Sequence, residues 1–245
     1  MSERVELKLL ILLFVTFSTH AQASLFSQLR QDLASPFTTE AKYYLLSGTA
    51  LTLILTFDGV EDNLGHNIQN EAIDDKPLGR FSVWGDLAGQ MLPNALYLST
   101  LYGLYLFTDN LEHRKKSILM LKATAYTGLM TTIIKAIVRE PRPNSNNRDS
   151  FPSGHTASAF AFASVIGTQH EWYWGVAAYS MAGFVAMSRI NDNAHRLHDV
   201  VGGATLGLAY GLGLSYLNVK KSSALQKVYL SPSEDGVFIG YRTAL

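Results

Sequence analysis

The chain has no cysteine. That excludes disulfides, thiolate metal sites and a cysteine nucleophile, and it leaves the redox compartment open. Charge is scarce as well: charged residues make up 16% of the chain, against about 25% in an average soluble protein. Lys+Arg and Asp+Glu both number 20, so the formal net charge is +0. Nothing in that balance favours nucleic acid as a partner, and any affinity for an anion has to come from a few placed cations. Only seven prolines occur, and Pro141, Pro143 and Pro152 fall within 139–153, so long helices are permitted on either side of that stretch. What is abundant is apolar surface: hydrophobic residues make up 47%, with a mean hydropathy of +0.08. A length of 245 residues suits one domain with a sizeable core.

The first residues have the order of a bacterial-type secretory signal. Arg4 and Lys8 precede an apolar run from Leu9 to Phe17, and Ala21-Gln22-Ala23 supplies small residues for cleavage. The run is too short to cross about 30 Å of hydrocarbon. Residues 1–23 are therefore expected to be a signal peptide, 24–220 a helical domain, and 221–245 a tail.

Helices are expected at 43–57, 86–107, 116–138, 154–168, 171–189 and 198–217, from their apolar content and length. Small residues concentrate in the fourth helix (Ala157, Ser158, Ala159, Ala161, Ala163 and Ser164) and in the sixth (Gly202, Gly203, Ala204, Gly207, Gly211 and Gly213), where they serve close packing. Residues 58–85, acidic and glycine-bearing, are expected to form an exposed excursion or lid. Residues 139–153 and 190–197 are expected to be loops. In the tail, Val228-Tyr229-Leu230 and Val237 to Tyr241 flank a turn sequence, as in a β-hairpin.

Three polar clusters stand at predicted helix ends. Lys135 closes one helix, and Arg142 follows on a segment that Pro141 and Pro143 hold extended. Pro152-Ser153-Gly154-His155 precedes the fourth helix. Ser153 is a natural N-cap, and the unpaired N–H groups of that first turn form an anion site. Ser188-Arg189 is followed by His195 and, four residues later, Asp199. That spacing shares a face if the helix begins by His195. An aspartate on one ring nitrogen fixes the tautomer and leaves the other nitrogen for attack. His198 falls off that face and is expected to be a bystander. Each cluster also has an ordinary reading: basic residues complementing a helix dipole, a capped helix with an incidental histidine, and a structural His–Asp contact.

Together, in this order, they resemble the complete three-part signature of the type 2 phosphatidic acid phosphatase superfamily. That superfamily includes bacterial non-specific acid phosphatases, lipid phosphate phosphatases and vanadium haloperoxidases. The resemblance spans residues 135–199 and does not test 24–115 or the tail. It implies an all-α fold, a six-helix bundle of the phosphatidic acid phosphatase/haloperoxidase type, with the small hairpin as an addition. It implies phosphohydrolase activity on a phosphate monoester or diphosphate, a lipid one given the apolar helices, with no cofactor and no metal. By the same resemblance His195 is the nucleophile, Asp199 orients it, and His155 is the acid and then the base. Lys135, Arg142 and Arg189, with Ser153 and Gly154, bind the phosphoryl oxygens. The alternatives are a soluble periplasmic non-specific acid phosphatase and, at this length with less weight, a vanadium-dependent haloperoxidase.

An exported, cleaved N-terminus followed by six spans would put the site in the cytoplasm. The cations Arg114-Lys115-Lys116 and Lys220-Lys221 point the other way. A peripheral bundle, or a segment 43–57 that does not cross, removes the conflict. The expectation is a bacterial envelope protein whose site faces the periplasm, either embedded in the membrane or a soluble or peripheral bundle.

Overall fold

The computed structural model describes residues 25–57, 66–226, 228–233 and 236–241. The expected signal peptide lies outside them. Contacts divide the chain after Ala34. In the first unit, residues 25–34 are helical. The second unit, Ser35–Leu245, carries the rest.

Eight α-helices follow in that unit among the described residues: α1 (Ala41–Leu55), α2 (His66–Asp75), α3 (Ser82–Gly89), α4 (Leu92–Thr108), α5 (Leu111–Val138), α6 (Gly154–Gln169), α7 (Trp172–Asn191) and α8 (Leu197–Gln226). Strands β1 (Val228–Ser233) and β2 (Gly236–Tyr241) pair antiparallel, Val228 opposite Tyr241. The expected all-α bundle is the architecture found. Its core forms where α5, α6, α7 and α8 meet, around Met120, Ala159, Val165, Ala182, Val185 and Leu214.

The chemistry of the termini explains the boundaries. Asn110 caps α5 by accepting from the Glu112 N–H at 2.9 Å. α5 ends at Arg139, whose φ of 52° is left-handed, and Pro141 prevents its continuation.

Three expectations need correction. The predicted helix 86–107 is broken into α3 and α4: Met91 adopts φ 65°, and Pro93 stands in the first turn of α4, where its missing N–H costs nothing. The stretch 58–85 is no bare lid, because α2, a 3-10 turn at Gly79–Phe81 and the start of α3 fall within it. The last helix also runs on to Gln226, past the expected stop at 217, since Lys220-Lys221-Ser222-Ser223 contains no helix breaker.

The α8 glycines do serve close packing. A Cβ on Gly203 would lie 2.4 Å from the Ser153 carbonyl oxygen, and one on Gly207 2.4 Å from that of Ala157. Both obstacles are α6 backbone, which cannot swing aside. Gly203→Ala should therefore force the helices apart and cost about 1–3 kcal/mol. Thermal unfolding should show a fall in Tm of about 2–10 °C; an unchanged Tm would mean the helices are not held at this distance.

Much apolar surface stays uncovered: Phe107 is 91% exposed, Trp172 76%, Ile137 74% and Leu46 66%. Two stretches, Leu111–Val138 and Leu197–Val219, are long and apolar enough to cross a membrane.

Candidate active site

The three clusters converge where the C-terminal ends of α5 and α7 meet the N-terminal ends of α6 and α8. The loop between α5 and α6 folds on itself: the Arg142 N–H donates to the Asn147 carbonyl at 2.9 Å, and the Ser150 N–H to that of Glu140 at 3.0 Å. Lys135 reaches into it from α5, its Nζ donating to the carbonyls of Asp149 and Ser150. Arg142 pairs with Asp149, Nε at 2.8 Å and Nη2 at 3.2 Å. These hydrogen bonds hold the Asp149 carboxyl below its usual range.

Ser153 caps α6 as expected, accepting from the Thr156 N–H and from the Thr156 hydroxyl at 3.0 Å. The Ser153 N–H donates to the Asp199 carbonyl at 2.9 Å, which ties the start of α6 to the first turn of α8. With the Ser153 hydroxyl engaged in the cap and fully buried, the first-turn N–H groups of Gly154 and His155 are the donors left for an anion. A Cβ on Gly154 would meet nothing closer than Thr131 Cγ2 at 3.8 Å, so that approach is open.

His195 and Asp199 are brought together, though not as one helix face. α8 begins at Leu197, after His195. Backbone bonds set the preceding loop: the Ala194 and His195 N–H groups both donate to the Arg189 carbonyl. Asp199 Oδ2 then accepts from the Arg196 N–H at 2.8 Å and the Ser150 hydroxyl at 2.7 Å, and lies 3.6 Å from His195 Nδ1. Ser150 Oγ is 3.4 Å from the same Nδ1. Nδ1 is thus turned to Asp199 and Ser150, and Nε2 is left for chemistry. Burial lowers the His195 pKa, Asp199 opposes that, and Arg142 and Lys135 add to it.

His155 stands in the first turn of α6. Burial first and then Arg189 push its pKa down to about 4, with Asp86 opposing. Arg189 is buried, its Nε donating to Ser188 Oγ at 3.2 Å and its Nη2 to Asp192 at 3.1 Å. A cavity of about 370 Å³ is lined by Lys135, Gly154 and His155 together with Gln90, Met91 and Thr131.

Several participants carry no signal in the sequence. His198 is no bystander: it is buried, its Nε2 is 2.8 Å from Glu140 Oε1, and it is 3.5 Å from Asp199 Oδ1. Its ring lies beside the loop that Glu140 anchors, which the helical spacing alone does not reveal. Glu140, His198 and Asp199 could in principle hold a cation, their ligand atoms lying within 4.8 Å of one another. Arg196 Nη1, however, already donates to Glu140 at 3.0 Å, so the set is a support for Asp199 that holds its cation internally. From α2, Gln69 donates to Asn193 Oδ1 at 2.7 Å and to the His195 carbonyl at 3.4 Å. The region expected to be a lid buttresses the loop that carries His195. Asp86, from α3, meets Arg189 and His155.

The PAP2 superfamily model matches residues 116–223, which include all three clusters. A stretch of 74 residues is 43% identical to the lipid A 1-phosphatase of Porphyromonas gingivalis. It covers 29% of this chain and 16% of that protein's length. Among solved structures, the transmembrane PAP2-type phosphatidylglycerolphosphate phosphatase of Bacillus subtilis shares the fold, with a TM-score of 0.62 at 20% identity over 76% of this chain and 97% of that one. Aquifex aeolicus LpxE aligns with a TM-score of 0.49 at 21% identity, over 64% of this chain and 95% of that one.

Proposed function

From the match of residues 116–223 to the PAP2 superfamily model, we propose that the chain is a phosphatase of that superfamily and hydrolyses a lipid phosphate through a phosphohistidine on His195, without a metal ion, on the periplasmic side of a bacterial envelope membrane. The observation that carries this reading is the setting of His195. Asp199 and Ser150 face Nδ1, and Lys135 and Arg142 are close enough to oppose its protonation. A neutral imidazole with Nε2 available, beside fixed cations, is what attack on a phosphoryl group needs.

In the first step the His195 Nε2 lone pair forms a bond to phosphorus as the bond to the leaving oxygen breaks. His155 gives that oxygen a proton. In the second step His155 takes a proton from water as the water oxygen attacks phosphorus and the P–N bond breaks. The transferring group spreads charge over its equatorial oxygens, so catalysis is mostly positioning and electrostatics. Arg142 and Arg189 supply forked donors, Lys135 a point charge, and the α6 first turn its N–H groups. Burial and Arg189 push the His155 pKa down to about 4; a phosphate dianion beside it offsets the arginines and favours the protonated ring that the acid step needs. The cavity beside His155 receives the leaving group.

The lipid substrate and the membrane setting rest on the exposed apolar side chains, the two stretches long enough to cross, and the relatives' substrates. For orientation, α5 bears Arg114-Lys115-Lys116 near its start and Lys135 near its end. If those cations stay in the cytoplasm, the site opens on the periplasmic side.

Fractionation with a substrate panel tests the reading. Activity should stay with membranes until detergent is added, prefer lipid phosphates over soluble monoesters, and survive chelators. Inhibition by a chelator that added metal reverses would overturn the metal-free mechanism. Activity that washes off in a periplasmic extract with no lipid preference would replace it with a soluble acid phosphatase.

A further inference from the structure

Asp86 lies outside the 135–199 signature and outside residues 116–223, yet its carboxylate stands in the site. The helix that carries it is shaped for this. Gly85 and Gly89, one turn apart on α3, face Ser188 and His155: a Cβ at 85 would lie 2.4 Å from Ser188 Cβ, and one at 89 would lie 2.6 Å from His155 Cβ. With α3 flush against both, Asp86 reaches the space between them. Its Oδ1 is 2.5 Å from Arg189 Nη1 and 3.3 Å from His155 Nε2, and its Oδ2 accepts from Gln90 Nε2 at 2.7 Å. His155 Nε2 is buried and makes no hydrogen bond. A buried ring nitrogen beside a carboxylate is a contact that tightens when the ring is charged.

We propose that Asp86 is the positioning carboxylate of His155, holding Nε2–H so that Nδ1 is the nitrogen that exchanges protons with the leaving group and with water. This rests on the acid–base role proposed above for His155. The protonated ring carries N–H at both nitrogens. As the P–O bond breaks and His195 Nε2 bonds to phosphorus, the Nδ1 proton passes to the leaving oxygen. The neutral ring that remains is the Nε2–H tautomer facing Asp86. In the second step Nδ1 takes a proton from water as the water oxygen bonds to phosphorus and the P–N bond breaks, restoring the imidazolium.

The site then holds two Asp–His pairs of opposite task, Asp199 behind the nucleophile and Asp86 behind the acid. The charges facing His155 are Asp86 from α3, Arg189 from α7, Arg142 and His195 from the loops, and Lys135 from α5 across the shared cavity. Asp86 favours the protonated ring; the cations oppose it.

The test compares Asp86→Asn, His155→Ala and the double variant of the full chain, on an alkyl phosphate and on an aryl phosphate with a good leaving group. Asp86→Asn should lower kcat about 10–100-fold on the alkyl ester, less than the roughly 10²–10⁴-fold that a general acid itself contributes, because the acid is weakened and not removed. On the aryl ester the loss should be slight, and KM should hardly move on either. The alkaline limb of kcat for the alkyl ester should shift to lower pH. The double variant should be no slower than His155→Ala alone. Asp86→Glu, which keeps the charge, should recover part of the limb's position, and vanadate inhibition reports whether each variant still forms its phosphate site. Equal loss on both esters with an unmoved limb, or multiplicative losses in the double variant, would overturn the proposal and assign Asp86 to Arg189 alone. If His155→Ala itself loses both esters equally, the acid role fails and the proposal with it. If His155→Ala discriminates between the esters and Asp86→Asn does not, only the role of Asp86 fails.

Discussion

His195→Ala is expected to lower phosphate release from an aryl phosphate about ten-thousand-fold or more, the scale of losing a nucleophile. A good leaving group makes this the most demanding form of the test, because it removes the need for His155 and isolates the attack. The chemical signature is as informative as the rate. A phosphohistidine survives alkali and decays in acid, so wild-type protein quenched in alkali during turnover should retain label from a phosphate-labelled substrate. His195→Ala should retain none, and label persisting on that variant would overturn the assignment. The pH dependence has a definite sign. The attacking ring must be neutral, and burial depresses its protonation. The acid limb of kcat/KM should therefore lie below the ordinary histidine value of about 6.5, with activity falling as pH drops through it.

Asp199→Asn should cost about a thousand-fold or more in kcat, by analogy with the loss of a carboxylate behind a catalytic histidine. The geometry says why a near-isosteric change should do this. Oδ2 accepts two hydrogen bonds, from the Ser150 hydroxyl and the Arg196 N–H, while standing beside His195 Nδ1. An asparagine can satisfy those donors only by placing its oxygen there and its NH2 toward His198, and it brings no charge to balance the phosphorylated imidazolium. Asp199 touches no group assigned to the phosphoryl oxygens through its side chain. Inhibition by vanadate should accordingly stay within a few-fold of wild type. If vanadate binding collapses together with kcat, Asp199 holds the site's shape rather than the ring's chemistry.

The signature residues are legible because they occupy helix termini, where cap chemistry and proline fix the local structure and the spacing is short. Ser153 is a cap in sequence and in space. The close packing of α8 on α6 is legible in part, since small residues are frequent in both helices, but which of them meet is shown only by the contacts. What the sequence hides is contact between distant segments. Asp86 and Arg189 are 103 residues apart, and Gln69 and His195 126; no local pattern announces such a pairing. The break at Met91 is hidden for a different reason. An apolar residue with positive φ is rarely adopted, so the apolar run through 86–107 conceals it. His198 is hidden by its own neighbour, because the i, i+4 argument that selects Asp199 sets aside a ring whose partner, Glu140, lies on another loop.

The closure of the α5–α6 loop bears on the order in which the site is made. Its bonds link residues no more than 14 positions apart: Arg142 to Asn147, Glu140 to Ser150, Lys135 to Asp149. Loops that short close fast and at little entropic cost. Ser150 waits 45 residues for His195 and 49 for Asp199, which at about 5–20 residues per second is a delay of a few seconds during synthesis. A nascent chain thus closes the loop from Lys135 to Ser150 before it contains His195 and Asp199, the residues that Ser150 meets.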